Sequence, residues 1–216
     1  MKHRLVLPKK PAALYVLAHG AGAGMDHPFM DAVADALNDR DVGTFRYEFA
    51  YMEQKKTRTD TPAVASARVR EAVAEAAGLA TGVPLFAGGK SFGGRMTSTA
   101  QSQAALEGVR GLAFLGFPLH PPGRPGIERA EHLHAVKVPM LFIQGTRDDF
   151  AQVELLDQVV ESLAADVTLH PVQGGDHSFK VLKSAGRSPQ DVMNEIADEL
   201  AGWMAGVVTG KPATRT

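Results

Sequence analysis

The chain has 216 residues, of which 44% are apolar and 22% are charged, with 23 basic against 24 acidic side chains. This length suits one domain, because chains usually divide only beyond about 250–300 residues, and the apolar fraction is enough for a hydrophobic core. A formal net charge of −1 excludes the basic surface of a protein that binds nucleic acid or anionic membranes, and the absence of cysteine excludes disulfides, thiolate metal sites and a cysteine nucleophile.

The first apolar run of the chain, residues 12–18, follows Lys9 and Lys10 as the core of a signal peptide would. It is short, and no small-residue cleavage site follows it, so we interpret it as a buried strand. No run approaches the roughly 18 consecutive apolar residues of a membrane span. We therefore expect a cytoplasmic protein.

Short runs rich in Val, Leu and Phe alternate along the chain with longer segments of helical periodicity. The runs predict a weak first strand and six stronger ones, at 3–7, 14–18, 42–48, 83–88, 109–117, 138–144 and 166–172. The periodic segments predict helices from Pro62 to the Gly78 region, from near Arg95, over 153–163, and over 188–207. Ser188 and Pro189 begin the last of these as an N-cap and a first-turn proline.

Several predicted strands are apolar throughout, which is typical of strands covered on both faces. The alternation of strands and helices over the whole length predicts an α/β fold with an open, mostly parallel, doubly wound sheet and helices on both faces. We expect a single domain over residues 1–208 and a flexible tail over 209–216. Only about 20 residues separate the strands 109–117 and 138–144, the length of an ordinary crossover, so no lid domain is expected there.

Two glycine-rich segments, 20–24 and 88–94, follow predicted strands, and this edge of an open α/β sheet is where ligands bind. The first segment lacks the last glycine of the dinucleotide fingerprint G-x-G-x-x-G in either register. The second contains the end of a phosphate-binding loop, but that motif requires a glycine where the chain has Pro84. Neither segment therefore indicates a nucleotide cofactor.

The second segment matches a different motif in full. Residues 89–93 read Gly-Lys-Ser-Phe-Gly, which is G-x-S-x-G placed between a predicted strand and a predicted helix. A sharp strand-to-helix turn of this kind raises a serine hydroxyl above the edge of the sheet. Ser91 is therefore the predicted nucleophile.

A serine hydroxyl needs a base to accept its proton and a carboxylate to orient that base, and in this motif the acid precedes the histidine. No aspartate lies between Ser91 and Asp148, which follows the strand 138–144, with Asp149 as the reserve. Only His170 and His177 come later, and His170 lies inside a predicted strand. Elimination therefore predicts Ser91, His177 and Asp148 as a catalytic triad.

Attack on a carbonyl creates an oxyanion that backbone N–H groups must stabilise. One donor follows the nucleophile, which makes it the N–H of Phe92. The second is expected in the glycine-rich loop after the strand 14–18, where Ala21 is the best candidate. His19, directly before this loop, is expected to make a structural hydrogen bond behind it.

These residues resemble a known family. The segments His19–Gly22, Arg46–Phe49, Gly88–Arg95, Gln144–Asp148 and Gly175–Ser178 are similar to small dienelactone-hydrolase-like α/β-hydrolases, and the similarity extends over about residues 12–205. Within that family the chain resembles the branch of bacterial predicted hydrolases that includes the α/β-hydrolase domain of NSL-complex subunit 3 and of testis-expressed proteins. The resemblance implies the α/β-hydrolase fold and the same triad. Dienelactone hydrolase itself uses a cysteine where this chain has Ser91, so its substrate is not carried over.

Six side chains near the predicted triad are candidates for a substrate pocket, and core packing is the alternative for the apolar ones: Met25, His27, Met52, Leu119, Phe150 and Phe179. Lys90 and Arg95 either contact the substrate or pair with carboxylates. The basic segment 55–58 either steers substrate or is simply solvated. His132 and His134 have the spacing of a metal-binding pair, but no acidic ligand pattern accompanies them, so no metal site is expected.

The predicted function is a serine hydrolase without cofactor that cleaves carboxylic esters, thioesters or short peptides through an acyl-enzyme. Its partner is then a small ester or acyl substrate, and the sequence leaves the native substrate and the oligomeric state open. The alternative is a catalytically idle α/β-hydrolase fold that binds a ligand or a protein, since a fold alone does not define a function. Without a lid, the site is expected to favour short or exposed acyl groups.

Overall fold

The computed structural model describes residues 1–210. Its seven strands are β1 (His3–Val6), β2 (Ala13–Ala18), β3 (Val42–Tyr47), β4 (Leu85–Lys90), β5 (Val109–Leu115), β6 (Met140–Gly145) and β7 (Val167–Val172). They form one sheet in the order β1-β3-β2-β4-β5-β6-β7. The pair β1–β3 is antiparallel and the other neighbouring pairs are parallel. The predicted open, mostly parallel sheet is confirmed.

The connections between the strands contain the helices α1 (Pro28–Asn38), α2 (Ala50–Glu53), α3 (Pro62–Leu79), α4 (Phe92–Gln103), α5 (Val153–Ser162) and α6 (Pro189–Thr209). Two 3₁₀ segments, Glu128–Ala135 and Lys183–Ala185, complete the structure. Pro28, Pro62 and Pro189 each occupy the first turn of a helix, where proline costs no hydrogen bond. Ser188 forms a reciprocal capping box with Asp191 at the start of α6.

The hydrophobic core has two parts, one on each face of the sheet. Successive strand side chains point to opposite faces, so Leu14 and Val16 pack under α3, α4 and α5, while Tyr15 and Leu17 pack under α1 and α6. Every residue of β2, β3 and β6 is buried. This burial on both faces explains why β2 is apolar throughout and why β3 and β6 do not alternate between apolar and polar residues.

The chain leaves β2 towards β3 on one side and leaves β4 towards β5 on the other, although β2 and β4 are neighbours in the sheet. The loops that follow these two strands therefore diverge and open a crevice at the carboxyl edge of the sheet. In the part of the chain that the structure describes, the connection between β5 and β6 holds a loop and one 3₁₀ segment. No lid domain covers the crevice from this connection.

All seven predicted strands are present, with bounds that differ by at most two residues. The largest shift is in β4, which is predicted at 83–88 and runs from Leu85 to Lys90. Helix α4 begins at Phe92 rather than near Arg95, because Ser91 is itself the N-cap. Helices α1 and α2 are absent from the sequence prediction, although the spacing of Met30, Val33 and Leu37, all buried in α1, was a usable signal for the longer of the two.

The C-terminal part of the prediction is only partly covered by the structure. Thr209, the first residue of the predicted tail, is still helical in α6. The rest of that tail, from residue 211, lies outside the described residues. Among residues 1–210, no helix combines the length and the apolar character that crossing a membrane requires.

Candidate active site

Ser91 lies in a tight turn between β4 and α4, with backbone angles φ 49° and ψ −115°. A positive φ is costly for a residue with a side chain, so the surrounding structure must hold this turn in place. The Ser91 N–H donates to the Leu115 carbonyl oxygen of the neighbouring strand at 3.1 Å. A Cβ at Gly93 would lie 2.6 Å from the His19 carbonyl oxygen. Glycine is therefore required there for α4 to approach the end of β2.

The structure brings Ser91, His177 and Asp148 into one hydrogen-bonded chain. His177 Nε2 lies 2.8 Å from Ser91 Oγ, and His177 Nδ1 lies 2.7 Å from Asp148 Oδ2. Because a carboxylate only accepts, Nδ1 carries a proton that it donates to Asp148, and Nε2 is left to accept from the serine hydroxyl. This tautomer is the one that a general base for Ser91 requires.

Asp148 is held in one orientation by further donors. Its Oδ2 accepts from Gln144 Nε2 at 2.6 Å, and its Oδ1 accepts from the Phe150 backbone N–H at 2.8 Å. Its side chain is fully buried, whereas the His177 side chain is 21% exposed. The Phe150 ring packs on the His177 imidazole with 4.3 Å between ring centroids. These contacts hold the Asp148 carboxylate in one orientation and hold the His177 imidazole against it.

The two rival residues lie elsewhere. Asp149, the alternative acid, is exposed to solvent. His170 lies on β7, where its Nε2 is 2.8 Å from Glu195 Oε1 of helix α6. His177 is separated from His170 by its loop position beyond the carboxyl end of β7, and Asp148 is separated from Asp149 by its burial against His177.

The predicted oxyanion donors lie beside Ser91. Phe92 is the first residue of α4, and Ala21 lines the same cleft as Ser91. Among the hydrogen bonds of residues 1–210, neither backbone N–H donates to a protein acceptor. Both groups are therefore available to an oxygen atom of a bound molecule.

Hydrogen bonds with His19 and Tyr51 hold the loop that carries Ala21 in place. His19 Nδ1 lies 2.8 Å from the Gly20 carbonyl oxygen, and His19 Nε2 accepts from the Phe49 N–H at 3.2 Å. The Tyr51 hydroxyl accepts from the Gly22 N–H at 2.9 Å. His19 is fully buried, so its contacts are those of a structural histidine. These bonds hold the loop after β2 against Phe49 and Tyr51, in the segment that follows β3.

A cleft of about 300 Å³ opens over Ser91 and His177. We call it the Ser91 cleft, and its lining residues are Gly20, Ala21, Ala23, His27, Phe29, Met30, Lys90, Ser91, Phe150, His177 and Ser178. Of the six predicted pocket residues, His27 and Phe150 line it. His27 also accepts from the Phe29 N–H and so caps helix α1. Phe29 was missed because nothing in its local sequence separates a cleft wall from a core position.

The other four predicted pocket residues do not line this cleft. Leu119 is fully buried in the core beneath α4, because its side chain turns inward from the loop after β5. Met25 is buried behind the loop after β2, and Met52 packs beside Gly24 of that loop. Phe179 is buried in the part of the core under α1 and α6, and it stacks on Phe29 with 5.9 Å between ring centroids.

Lys90, directly before Ser91, has its stem along the cleft and its ammonium group buried. Its Nζ makes no hydrogen bond within the described residues and lies 5.6 Å from the centroid of the Phe179 ring. Burial lowers the pKa of Lys90 to about 8, although the nearby carboxylates of Asp148 and Asp176 oppose this shift. The charge near the cleft is thus held at a cost to stability.

A second serine–histidine contact lies beneath α4, where Ser98 Oγ is 2.7 Å from His132 Nε2. Ser98 is fully buried, and its hydroxyl donates to the Arg95 carbonyl oxygen at 2.9 Å. Burial and the charge of Arg95 lower the pKa of His132 to about 4. No carboxylate pairs with His132 in the part of the chain that the structure describes. This pair therefore lacks the access and the acid of the Ser91 site.

Arg95 and the basic segment 55–58 do not line the Ser91 cleft. Burial and the charge of Arg129 lower the pKa of Arg95, and Lys55, Lys56 and Arg58 lie exposed after α2. Over residues 1–210, no group of three His, Asp or Glu side chains is arranged to hold a metal ion.

Comparisons with known proteins agree with this architecture. Residues 11–205 match the family described as "Alpha/beta hydrolase domain". The chain is similar in structure to dienelactone hydrolase from Anabaena variabilis, with a TM-score of 0.74 and 19% identity over 93% of this chain and 89% of that one.

Two further solved structures have the same fold. Est1E from Butyrivibrio proteoclasticus with bound ferulic acid matches with a TM-score of 0.70 and 16% identity over 94% of each chain. An α/β serine hydrolase without a lid from Xanthomonas campestris matches with a TM-score of 0.68 and 20% identity over 98% of this chain and 90% of that one. The predicted fold class, with its mostly parallel sheet and no lid, is confirmed.

Proposed function

The chain belongs to the α/β-hydrolase domain family, and from that premise we propose that it is a serine hydrolase that cleaves carboxylic esters through an acyl-enzyme. The observation that carries this proposal is the continuous chain of hydrogen bonds from Asp148 through His177 to Ser91, which ends in an open cleft. The esterase and dienelactone hydrolase among its structural neighbours support the reaction class. Thioesters and short peptides react by the same chemistry and belong to the proposal.

In the first half of the reaction, Ser91 Oγ forms a bond to the carbonyl carbon while His177 Nε2 takes the hydroxyl proton. The carbonyl oxygen becomes an oxyanion, which the N–H groups of Ala21 and Phe92 stabilise. Asp148 holds the imidazole in place and stabilises its positive charge. When the intermediate collapses, the bond to the leaving oxygen breaks and His177 returns its proton to that oxygen.

In the second half, water takes the place of the leaving alcohol. His177 accepts a proton from this water as its oxygen bonds to the acyl carbon, and then protonates Ser91 Oγ as the acid is released. All the groups that these steps require are side chains and backbone amides of this chain. The proposal therefore needs no cofactor.

Two finer assignments belong to the same proposal. We place the chain in the branch that includes the α/β-hydrolase domain of NSL-complex subunit 3, on the motifs named above. We also propose a cytoplasmic enzyme with a small ester as its substrate, folded as one domain over residues 1–208.

Covalent labelling with a fluorophosphonate probe tests the function, with mass spectrometry to locate the adduct. The wild-type protein is expected to label on Ser91, the Ser91→Ala variant to remain unlabelled, and the His177→Ala variant to label far more slowly. Ser98→Ala is the matched control, since it removes the other serine that contacts a histidine and should label like the wild type. Folded protein that does not label would contradict the proposal and favour the binding-module alternative.

A further inference from the structure

A second depression lies next to the Ser91 cleft, between the loop that follows His177 and the first turns of α6. It has a volume of about 450 Å³. We call it the α6 groove, and its lining residues are Phe29, Ser178, Phe179, Lys180, Val181, Lys183, Arg187, Pro189, Val192, Met193 and Ile196. Most of its inner surface is aliphatic or aromatic.

The groove and the cleft are adjacent, because Phe29 and Ser178 line both. Phe179 forms part of the groove wall with φ 61°, a backbone conformation that bulky residues rarely adopt. The carboxylate of Asp176 keeps this loop in place by accepting from the backbone N–H groups of Ser178 and Lys180 at 2.8 and 2.9 Å. The wall is therefore built by the same short loop that positions His177.

The position of the groove indicates which half of an ester enters it. His177 must lie within hydrogen-bond distance of the leaving oxygen to protonate it. The groove begins at Ser178, the residue after His177, so this apolar surface lies next to the imidazole that protonates the leaving oxygen. The acyl carbon stays bonded to Ser91.

The edge of the groove is basic. Lys180 and Lys183 are exposed there, and neither side chain pairs with a carboxylate in the described part of the chain. Arg187 does pair, with Glu195. Two further carboxylates lie nearby, and both already accept backbone hydrogen bonds, Asp176 from Ser178 and Lys180 and Asp191 from Ser188. Two lysines are therefore left to attract an anion at the outer end of an apolar surface.

We propose that the α6 groove binds the leaving group of the substrate, and that the substrate is an ester of an apolar alcohol which carries an anionic group, a carboxylate or a phosphate, at its far end. The inference rests on the proposed function, since it takes Ser91 as the nucleophile and His177 as the acid. It assigns the apolar chain to Phe179, Val192 and Met193, and the anion to Lys180 and Lys183.

The first test varies only the alcohol. Hydrolysis of butyl, hexyl and octyl acetate is expected to show kcat/KM rising about fourfold for each methylene that enters the groove, which corresponds to about 0.8 kcal/mol per buried methylene. A matched series with a constant ethyl alcohol and butanoyl, hexanoyl and octanoyl groups is expected to be much flatter. A steep acyl series with a flat alcohol series would overturn the assignment.

Two variants test the groove itself through the ratio of kcat/KM for octyl over butyl acetate. Met193→Trp fills the groove from α6 and is expected to bring this ratio close to one. Val181→Trp fills it from the opposite wall and replaces the first variant if that one does not fold. Val160→Trp, which is in a separate hollow beside α5, is the control and should keep the wild-type ratio. A folded groove variant that keeps the wild-type octyl-to-butyl ratio of kcat/KM would contradict the proposal.

A third comparison tests the anion. Octyl acetate is compared with the acetate ester of an alcohol of the same length that ends in a carboxylate, and with one that ends in a phosphate. The wild type is expected to prefer an anionic ester by up to about fivefold at low salt, the scale of an exposed ion pair. The double variant Lys180→Gln/Lys183→Gln should lose this preference, and Lys55→Gln/Lys56→Gln should retain it. The opposite pattern would assign anion binding to the 55–58 loop instead.

The failure of this inference is distinguishable from that of the proposed function. If Ser91 does not label with a fluorophosphonate and no ester is hydrolysed, the proposed function is wrong. If Ser91 labels and ethyl esters are hydrolysed while alcohol length has no effect, only the groove assignment is wrong.

Discussion

Replacing Lys90 with methionine is expected to make the protein more stable at neutral pH. Within residues 1–210 the Nζ of Lys90 is buried without a hydrogen-bond partner, and the groups there that favour its charge are Asp148, Asp176 and the face of Phe179. These groups do not compensate for lost hydration, since the pKa of Lys90 is lowered to about 8 from an ordinary 10.5. Methionine has a similar length and shape, and it can remain in the apolar surroundings without this cost.

The magnitude follows from the two pKa values. A difference of this size corresponds to a cost of about 3 kcal/mol for holding the charged form in the folded state. Below pH 8 the lysine is charged in both the folded and the unfolded state, so the whole cost is present. Between about pH 8 and 10.5 the unfolded state binds more protons, so the cost falls as the pH rises. Above that range the lysine is neutral in both states and the cost is gone.

Urea unfolding at a series of pH values from 7 to 11 measures this directly. Lys90→Met is expected to exceed the wild type in free energy of unfolding by about 3 kcal/mol at pH 7, and the difference should close between pH 8 and 10.5. Lys10→Met, at an exposed lysine, is the control and should show no such trend. A variant less stable than the wild type at pH 7, or a difference that does not change with pH, would refute the reasoning.

The other predictions concern the proposed catalytic acid, one glycine beside Ser91 and two positions in α6. Asp148→Asn should lower kcat for ester hydrolysis about 10⁴-fold, as measured by steady-state kinetics, because an amide no longer enforces the required tautomer of the base. Gly93→Ala should prevent accumulation of folded protein, judged by circular dichroism, since its Cβ would lie 2.6 Å from the His19 carbonyl oxygen. Gly202→Ala, in α6 with open space around its Cβ, should raise the free energy of unfolding by about 0.5–1 kcal/mol. Ser188→Ala should lower it by about 1 kcal/mol through loss of the capping box, as measured in urea.

Each of these has a result that would contradict it. An Asp148→Asn variant within tenfold of wild-type kcat would remove Asp148 from the triad. Folded Gly93→Ala protein would mean that α4 can move away from β2 without loss of the fold. A destabilised Gly202→Ala variant would show that packing within α6 outweighs helix propensity, and an unaffected Ser188→Ala variant would show that the capping box does not contribute to stability.

The sequence was sufficient to predict the sheet and the hydrogen-bond contacts of Ser91, His177 and Asp148. The central strands are mostly apolar because both of their faces are buried, and that signal is local. Ser91 is recognisable because the glycines around it meet a steric requirement that other residues cannot meet. Asp148 and His177 follow from chain order together with the rule that functional loops lie at the carboxyl ends of parallel strands.

The walls of the cleft could not be predicted in the same way. Leu119 and Phe150 both lie on loops beyond strands, yet one turns into the core and the other packs on His177. The direction of a side chain on a loop depends on the path of the backbone, which sequence periodicity does not encode. The α6 groove is still harder to predict, because it brings together residues that are far apart in the sequence, such as Phe29 and Met193.

The order of the strands also places Ser91 and His177 at different positions in the sheet, one central and one at an edge. Ser91 follows β4, which is paired on both sides, whereas His177 follows β7, which is an edge strand and, within residues 1–210, pairs with β6 alone. Edge elements open locally at lower free energy than central ones. Amide hydrogen exchange is therefore expected to be faster in β7 than in β4. On warming, β7 is expected to open first and to move His177 away from Ser91 before the rest of the sheet unfolds. Loss of activity should therefore precede unfolding and be reversed on cooling.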